Sequence, residues 1–246
     1  MTGDHARKPE RAAARAAETH AREHTMSIRS RWLAGLGCLL ALSGCKTEFG
    51  VEVPLSQLLD PAVTQIPGTV RFEIPGCDSY EDSRNPSSSL VKAQEQVPTI
   101  FPQAEFKSCY QQKLTSWAEF SLPVAIDRDG DAAAFVSTDT LSLTSDPRRL
   151  LGLAIPPAVL ERIDKVQREN LGPTPEYEVR LQVINDLGRD VDTAVLASWL
   201  DDDPVTFGSV NFAQGETRSL RLSNVLIDRA MQKGEATILV DMGQEG

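Results

Sequence analysis

The chain has 246 residues, of which 25 are Lys or Arg and 35 are Asp or Glu, for a formal net charge of −10. Residues 1–45 hold seven of the basic and four of the acidic side chains, so the remainder carries 18 against 31, a net of −13. That excess of carboxylates excludes nucleic acid as a partner and weakens attraction to anionic lipid head groups, because phosphate binding needs clustered positive charge. All three histidines, His5, His20 and His24, precede Met26. Beyond that point there is no imidazole for Ser-His-Asp or Cys-His catalysis, nor the commonest ligand of zinc and copper. The composition points away from an enzyme.

Residues 1–25 are rich in Ala and Arg and mix both signs of charge. A transit peptide would be poor in acids. Met26 opens a more ordinary start, Met-Ser-Ile-Arg-Ser-Arg-Trp-Leu, and translation is expected to begin there, leaving 1–25 as a spurious extension. Arg29 and Arg31 precede the apolar run Trp32–Leu42, which is 11 residues long. A bilayer-spanning helix needs about 20 residues. The apolar region of a secretory signal runs about 7–15 residues behind a basic stretch and ends at small side chains. Residues 26–44 therefore read as a signal peptide.

Its end, Leu42-Ser43-Gly44-Cys45, resembles the lipobox of bacterial lipoproteins. The resemblance implies that the Cys45 thiol takes a diacylglyceryl group, that the chain is cut before Cys45, and that the new N-terminus is acylated. The other reading is an ordinary signal in which Cys45 is incidental. With so acidic a chain, the acyl groups must supply the hold on the membrane, at about 0.8 kcal/mol per buried CH₂. Lys46, where retained lipoproteins carry Asp, implies the periplasmic face of the outer membrane.

Cys38 leaves with the signal and Cys45 carries lipid, so Cys77 and Cys109 remain. An even pair in an oxidising compartment reads as a disulfide. Closing a loop of about 33 residues is worth roughly 3.7 kcal/mol in the chain-entropy model. The alternative, two free thiols or a metal pair, lacks a further soft ligand.

Along the remaining chain, VEVPLSQLLD starts extended and ends in a helical turn. In GTVRFEIPGC, Val70, Phe72 and Ile74 alternate with Arg71 and Glu73, the pattern of a half-buried strand. Leu90, Val91 and Val97 fall at helical spacing, with serines to cap the helix and Pro98 to stop it. AEFKSCYQQ, SWAEFSLPVAI, AAAFVST and TLSLTS read as strands. TSDPRR, 144–149, is a candidate boundary between lobes 45–146 and 147–246. Pro156-Pro157 open a helix whose stripe is Val159, Leu160, Ile163 and Val166. EYEVRLQVIND and VDTAVLASWL are strands, and FGSVNFAQGETRSLRLS reads as a hairpin turning at Gln214-Gly215-Glu216. Ser223 and Gly234 bracket a last helix, and EATILVDM is the final strand. Strands outnumber helices and are mostly adjacent. The expected class is α+β: a largely antiparallel sheet with three to four short helices, divisible into two lobes.

Three acidic stretches could bind cations. In Asp127-Arg-Asp-Gly-Asp131, the carboxylates of Asp127, Asp129 and Asp131 offer hard oxygens to calcium. An EF-hand loop starting at Asp127 would need Gly and Glu where Ala132 and Thr138 stand, and the other reading is a hairpin turn. LDDDP, 200–204, reads as a solvated loop, though its crowded charges attract cations. Asp186 and Asp190 read as a turn. A Gly-rich phosphate loop does not occur after Cys45, and paired carboxylates acting on glycans have no sequence mark.

SGCKTEFGVEVPLSQLLD, VRFEIPGCD, the helix before FPQAEFKSC, and WAEFSLPVAI resemble a group of small lipoproteins from phage and prophage genomes. The likeness covers roughly residues 42–165 and extends to LRLSNVL. It implies a phage or prophage origin and a role at the cell envelope. The expectation is a non-enzymatic, lipid-anchored envelope protein acting by contact with another envelope protein. The alternative is a periplasmic lipoprotein that binds a small ligand or a divalent cation. A carboxylate-based glycan hydrolase comes last.

Overall fold

Alternation sets the architecture. The computed structural model describes residues 46–128, 137–170 and 175–242, which belong to a single compact unit. In β1 (Lys46–Pro54), Phe49, Val51 and Val53 are buried while Glu52 is open to solvent. β2 (Gln65–Ile74) buries Ile66, Val70 and Ile74, and β7 (Glu176–Ile184) buries Val179, Leu181 and Val183. Register puts these sets on one face. Phe49 lies opposite Val70 in the antiparallel β1–β2 pair and opposite Val179 in the parallel β1–β7 pair.

From β2 the sheet passes to β4 (Thr115–Asp127), where Phe120 faces Val70 and Val124 faces Ile66. β5 (Ser142–Asp146) runs parallel to β4. Then come β6 (Arg149–Ala154), β11 (Glu235–Asp241), β8 (Val191–Leu200) and β10 (Thr217–Leu222), which returns to β7. β10 also pairs with β8, Leu220 opposite Leu200 and Leu222 opposite Ser198. The result is a closed nine-stranded barrel, with β3 (Glu105–Gln112) added on β4 and β9 (Asp203–Phe212) added on β8. Apolar side chains fill its interior, and Glu48, Arg71 and Glu119 stand at the alternate, outward positions. A barrel that faces lipid has the reverse arrangement.

β8 makes closure possible. β9 runs along one edge of it, so the other edge must take both β11, at Thr193–Val195, and β10, at Ser198–Leu200. The change of partner falls at Ala197, whose φ of 38° interrupts the regular pleat. β4 is shared in the same way, with β2 on one edge and β3 then β5 on the other.

The expected α+β fold is therefore corrected to a mostly β closed barrel. A sheet whose edges all pair has room for helices at its mouths rather than in a layer over one face. α2 (Ser88–Ile100), α3 (Pro157–Asn170) and α4 (Asn224–Lys233) follow β2, β6 and β10 at one end. α1 (Leu55–Leu59) closes the other, with Leu55 and Leu58 fully buried. TSDPRR is the β5–β6 turn, and strands from both expected lobes share one core.

Local readings change as well. Pro98 lies inside α2, which runs on to Ile100, and the Phe101 N–H still reaches Val97 O at 2.9 Å. β9 and β10 do not pair with each other among the described residues, because β10 leaves to seal the barrel. LDDDP is the solvated inter-strand segment expected, a tight β8–β9 turn with Asp201 and Asp202 at φ 49° and 73°. β4 pairs in parallel with β5, and the expected strand AAAFVST lies, but for its last two residues, outside the described residues, as do Asp129 to Asp131 of the acidic turn before it.

At Gly152 of β6 a Cβ would press on the Thr144 hydroxyl and come within 3.0 Å of the Ala236 carbonyl. Gly152→Ala should lower stability by about 1–3 kcal/mol through overpacking, read from urea denaturation. An unchanged midpoint would mean that β5, β6 and β11 are not this close.

Candidate functional site

The three helices at one mouth are set by local signals. Ser87 caps α2, its hydroxyl accepting from the Leu90 N–H at 3.1 Å, and Leu90, Ala93, Val97 and Ile100 form the buried stripe. α3 buries Val159 and Ile163. Ser223 caps α4, and Gly234, at φ 82°, ends it. Between these helices and the barrel lies a cavity of about 150 Å³. Its walls are apolar, built from side chains such as Phe49, Phe72, Val97 and Ile227. Its polar lining residues, Thr47, Gln96, Gln167, Tyr177 and Glu178, are half-buried, as are the apolar Phe72, Val166 and Met231.

Tyr177 is one of these lining residues. Its hydroxyl accepts from Gln167 Nε2 at 2.7 Å. Burial pushes its phenol from 10.0 up to about 12, the charge of Asp164 adds to the shift, and the Gln167 bond opposes it.

A strip of charge that includes the lining residue Glu178 runs along the outer face of β7, β1 and β2. Lys46 Nζ lies 3.0 Å from Glu48 and 2.7 Å from Glu178. Glu48 accepts from Arg71 Nε at 2.8 Å and from its Nη2. Arg71 donates to Tyr110 at 3.1 Å, Tyr110 donates to Glu119 at 3.1 Å, and the Arg71 guanidinium lies 4.6 Å from the Trp117 ring centre. Burial penalises the charge on Glu48, but hydrogen bonds from Arg71 and Lys46, with their positive charges, outweigh it and hold the carboxyl below its ordinary 4.5.

At the opposite mouth, Arg128 donates from Nε to Leu58 O and from Nη2 to Gln57 O, both at 2.8 Å, and so holds α1 in place. Asp186 accepts from the Ser56 amide at 2.8 Å and from its hydroxyl. Burial opposes its charge, yet these bonds keep its carboxyl below the ordinary value. A polar hollow of about 570 Å³ opens there, lined by Arg128, Asp146, Arg189, Asp190 and Asp192 among others.

The residues singled out from sequence are dispersed. Cys77 and Cys109 form a disulfide with Cα atoms 5.7 Å apart, tying the segment after β2 to β3. Cys45, Asp129 and Asp131 lie outside the described residues. Asp127 ends β4 opposite Thr144, at 8% exposure. Among the described residues no cluster of three or more His, Cys, Asp or Glu could hold a metal ion, and no helix is long and apolar enough to cross a membrane. The cavity and the Lys46–Glu48–Arg71 strip had no sequence signal beyond the alternation of their strands, because their partners come from distant elements.

Two measurements check this site. The tyrosinate absorbance difference between the parent and Tyr177→Phe should titrate near 12, and a midpoint near 10.0 would mean that Tyr177 is open to water. For Glu48, folding lowers the pKa, so the ionised carboxylate stabilises fully above its ordinary 4.5, and that gain is lost as pH falls toward the folded value. Glu48→Gln should cost about 2 kcal/mol at neutral pH and show a shallower acid decline in melting temperature. Asp146 and Asp186, also lowered, keep part of the slope in the variant. Identical acid limbs would contradict the ion-pair strip.

A family model described as a domain of unknown function (DUF7424) matches residues 47–242. No curated protein and no solved structure matches the chain.

Proposed function

The chain belongs to the family of the domain of unknown function DUF7424, and for this member we propose a non-enzymatic cell-envelope lipoprotein, anchored through lipid on Cys45 and acting by contact with another envelope protein. One observation carries the reading. β1 starts at Lys46, immediately after the cysteine of Leu-Ser-Gly-Cys. Lys46 is held by Glu48 and Glu178, and its backbone N–H donates to Glu73 at 3.2 Å. A lipid on Cys45 thus has no long linker to act through, and the barrel end bearing α2, α3 and α4 is kept close to the bilayer. The absence of His after His24 supports a binding rather than a catalytic role. The outer membrane's periplasmic face and a phage or prophage origin are the finer parts of the proposal, resting on Lys46 and on the likeness over residues 42–165.

A second reading, a lipoprotein that binds a small ligand, is favoured by the apolar cavity beneath the helices.

The anchor is tested by growing cells on an alkyne-bearing palmitate analogue. The parent chain should carry the label and Cys45→Ser should not. A parent chain without label, or equal label on both, overturns the anchor.

A further inference from the structure

We propose that the cavity under the three-helix cap is a site for the end of one acyl chain. Its shape follows from residue choice. Ala93 of α2 and Ala230 of α4 are both buried and both face the space, where the neighbouring Val97 and Ile227 fill theirs. Each helix presents an alanine to this space, which leaves room that leucines would fill. The volume, about 150 Å³, matches a cavity that stays dry and takes a guest of about six carbons. That is the last part of a fatty chain, with the remainder outside the cavity.

The polar groups suit such a ligand. They are five among the lining residues, and each is half-buried rather than sealed inside, so a hydrocarbon can lie against the apolar walls. Tyr177 accepts from Gln167 and has its own proton left to donate to an ester or carboxylate oxygen. Thr47, the second residue of β1, lines the cavity, so the cavity reaches the start of that strand. The Cα of residue 45 is about 3.8 Å from that of Lys46 by covalent geometry. An acyl chain reaches about 15 Å, half the roughly 30 Å hydrocarbon thickness of a bilayer. Two sources share this chemistry: a chain carried by Cys45, which rests on the lipoprotein reading, and a free membrane lipid, which does not.

The test has two arms. In the first, full-length Cys45→Ser chain made without lipid is titrated with cis-parinaric acid. Saturable binding of one molecule per chain is expected, weakened at least tenfold by Ala93→Leu and by Ala230→Leu, each added separately and each with a cooperative melt at or above the parent's temperature. If one variant does not fold, the other decides. No saturable binding, or binding unchanged in the folded variants, overturns the proposal. In the second arm, cells are fed a photoactivatable diazirine fatty acid and irradiated. Crosslinks from α2 or α4 to the chain on Cys45 support the site and assign its own lipid as guest. Crosslinks from these helices to a free phospholipid support the site and assign the membrane as source. Crosslinks confined to the outer surface of the barrel overturn it. Absence of any fatty acid on Cys45 sinks the anchor alone, while the first arm still judges the cavity.

Discussion

Two neighbours on one edge of a single strand hold the arrangement together. β8 gives its first half to β11 and its second half to β10, and the turn in its backbone at Ala197 lets both fit. Without that change of partner, β10 and β11 would end as open edges, with unpaired N–H and C=O groups exposed. Closing the ring satisfies those groups and fixes which side chains face inward. Phe120, Leu181 and Leu220 are fully buried because the sheet wraps around them rather than because a second layer covers them.

Closure also decides where the helices go and so where a ligand could sit. Each of α2, α3 and α4 has an apolar stripe and a barrel mouth to press it against. A cavity remains between helices and barrel, with Ala93 and Ala230 in its lining. The outer strip from Lys46 through Glu48 to Arg71 secures β1, the strand that joins β2 to the distant β7. An anchor placed just before β1 would therefore pull on one of the best-braced strands in the barrel.

Much of this was legible locally. The alternation in EYEVRLQVI predicts β7 and its buried face, and Ser223 with Gly234 marks both ends of α4, because caps and alternation are written within a few residues. The pairing of Cys77 with Cys109 was expected from the lipobox resemblance, which set Cys38 and Cys45 aside. What was not legible depends on separation. The parallel β1–β7 pair joins residues about 130 positions apart, and nothing near Lys46 marks Glu176 as its neighbour. The parallel pairing of β4 with β5 has no mark in either strand, since alternation does not say in which direction a neighbour runs. β9 and β10, flanking a good turn, mimic a hairpin until the vacant edge of β8 claims β10. A cavity leaves no trace in sequence at all, since alanine in a helix is ordinary everywhere except where three elements converge on it.

Closure is the claim on which the site's position rests, and amide hydrogen exchange tests it most directly. Amides bonded across the β8–β10 seam, within Ser198–Leu200 and Leu220–Leu222, should exchange only through global unfolding, as slowly as those between β2 and β4. Exchange at the seam through a local opening, with β2–β4 still protected, would show an open sheet and contradict the barrel.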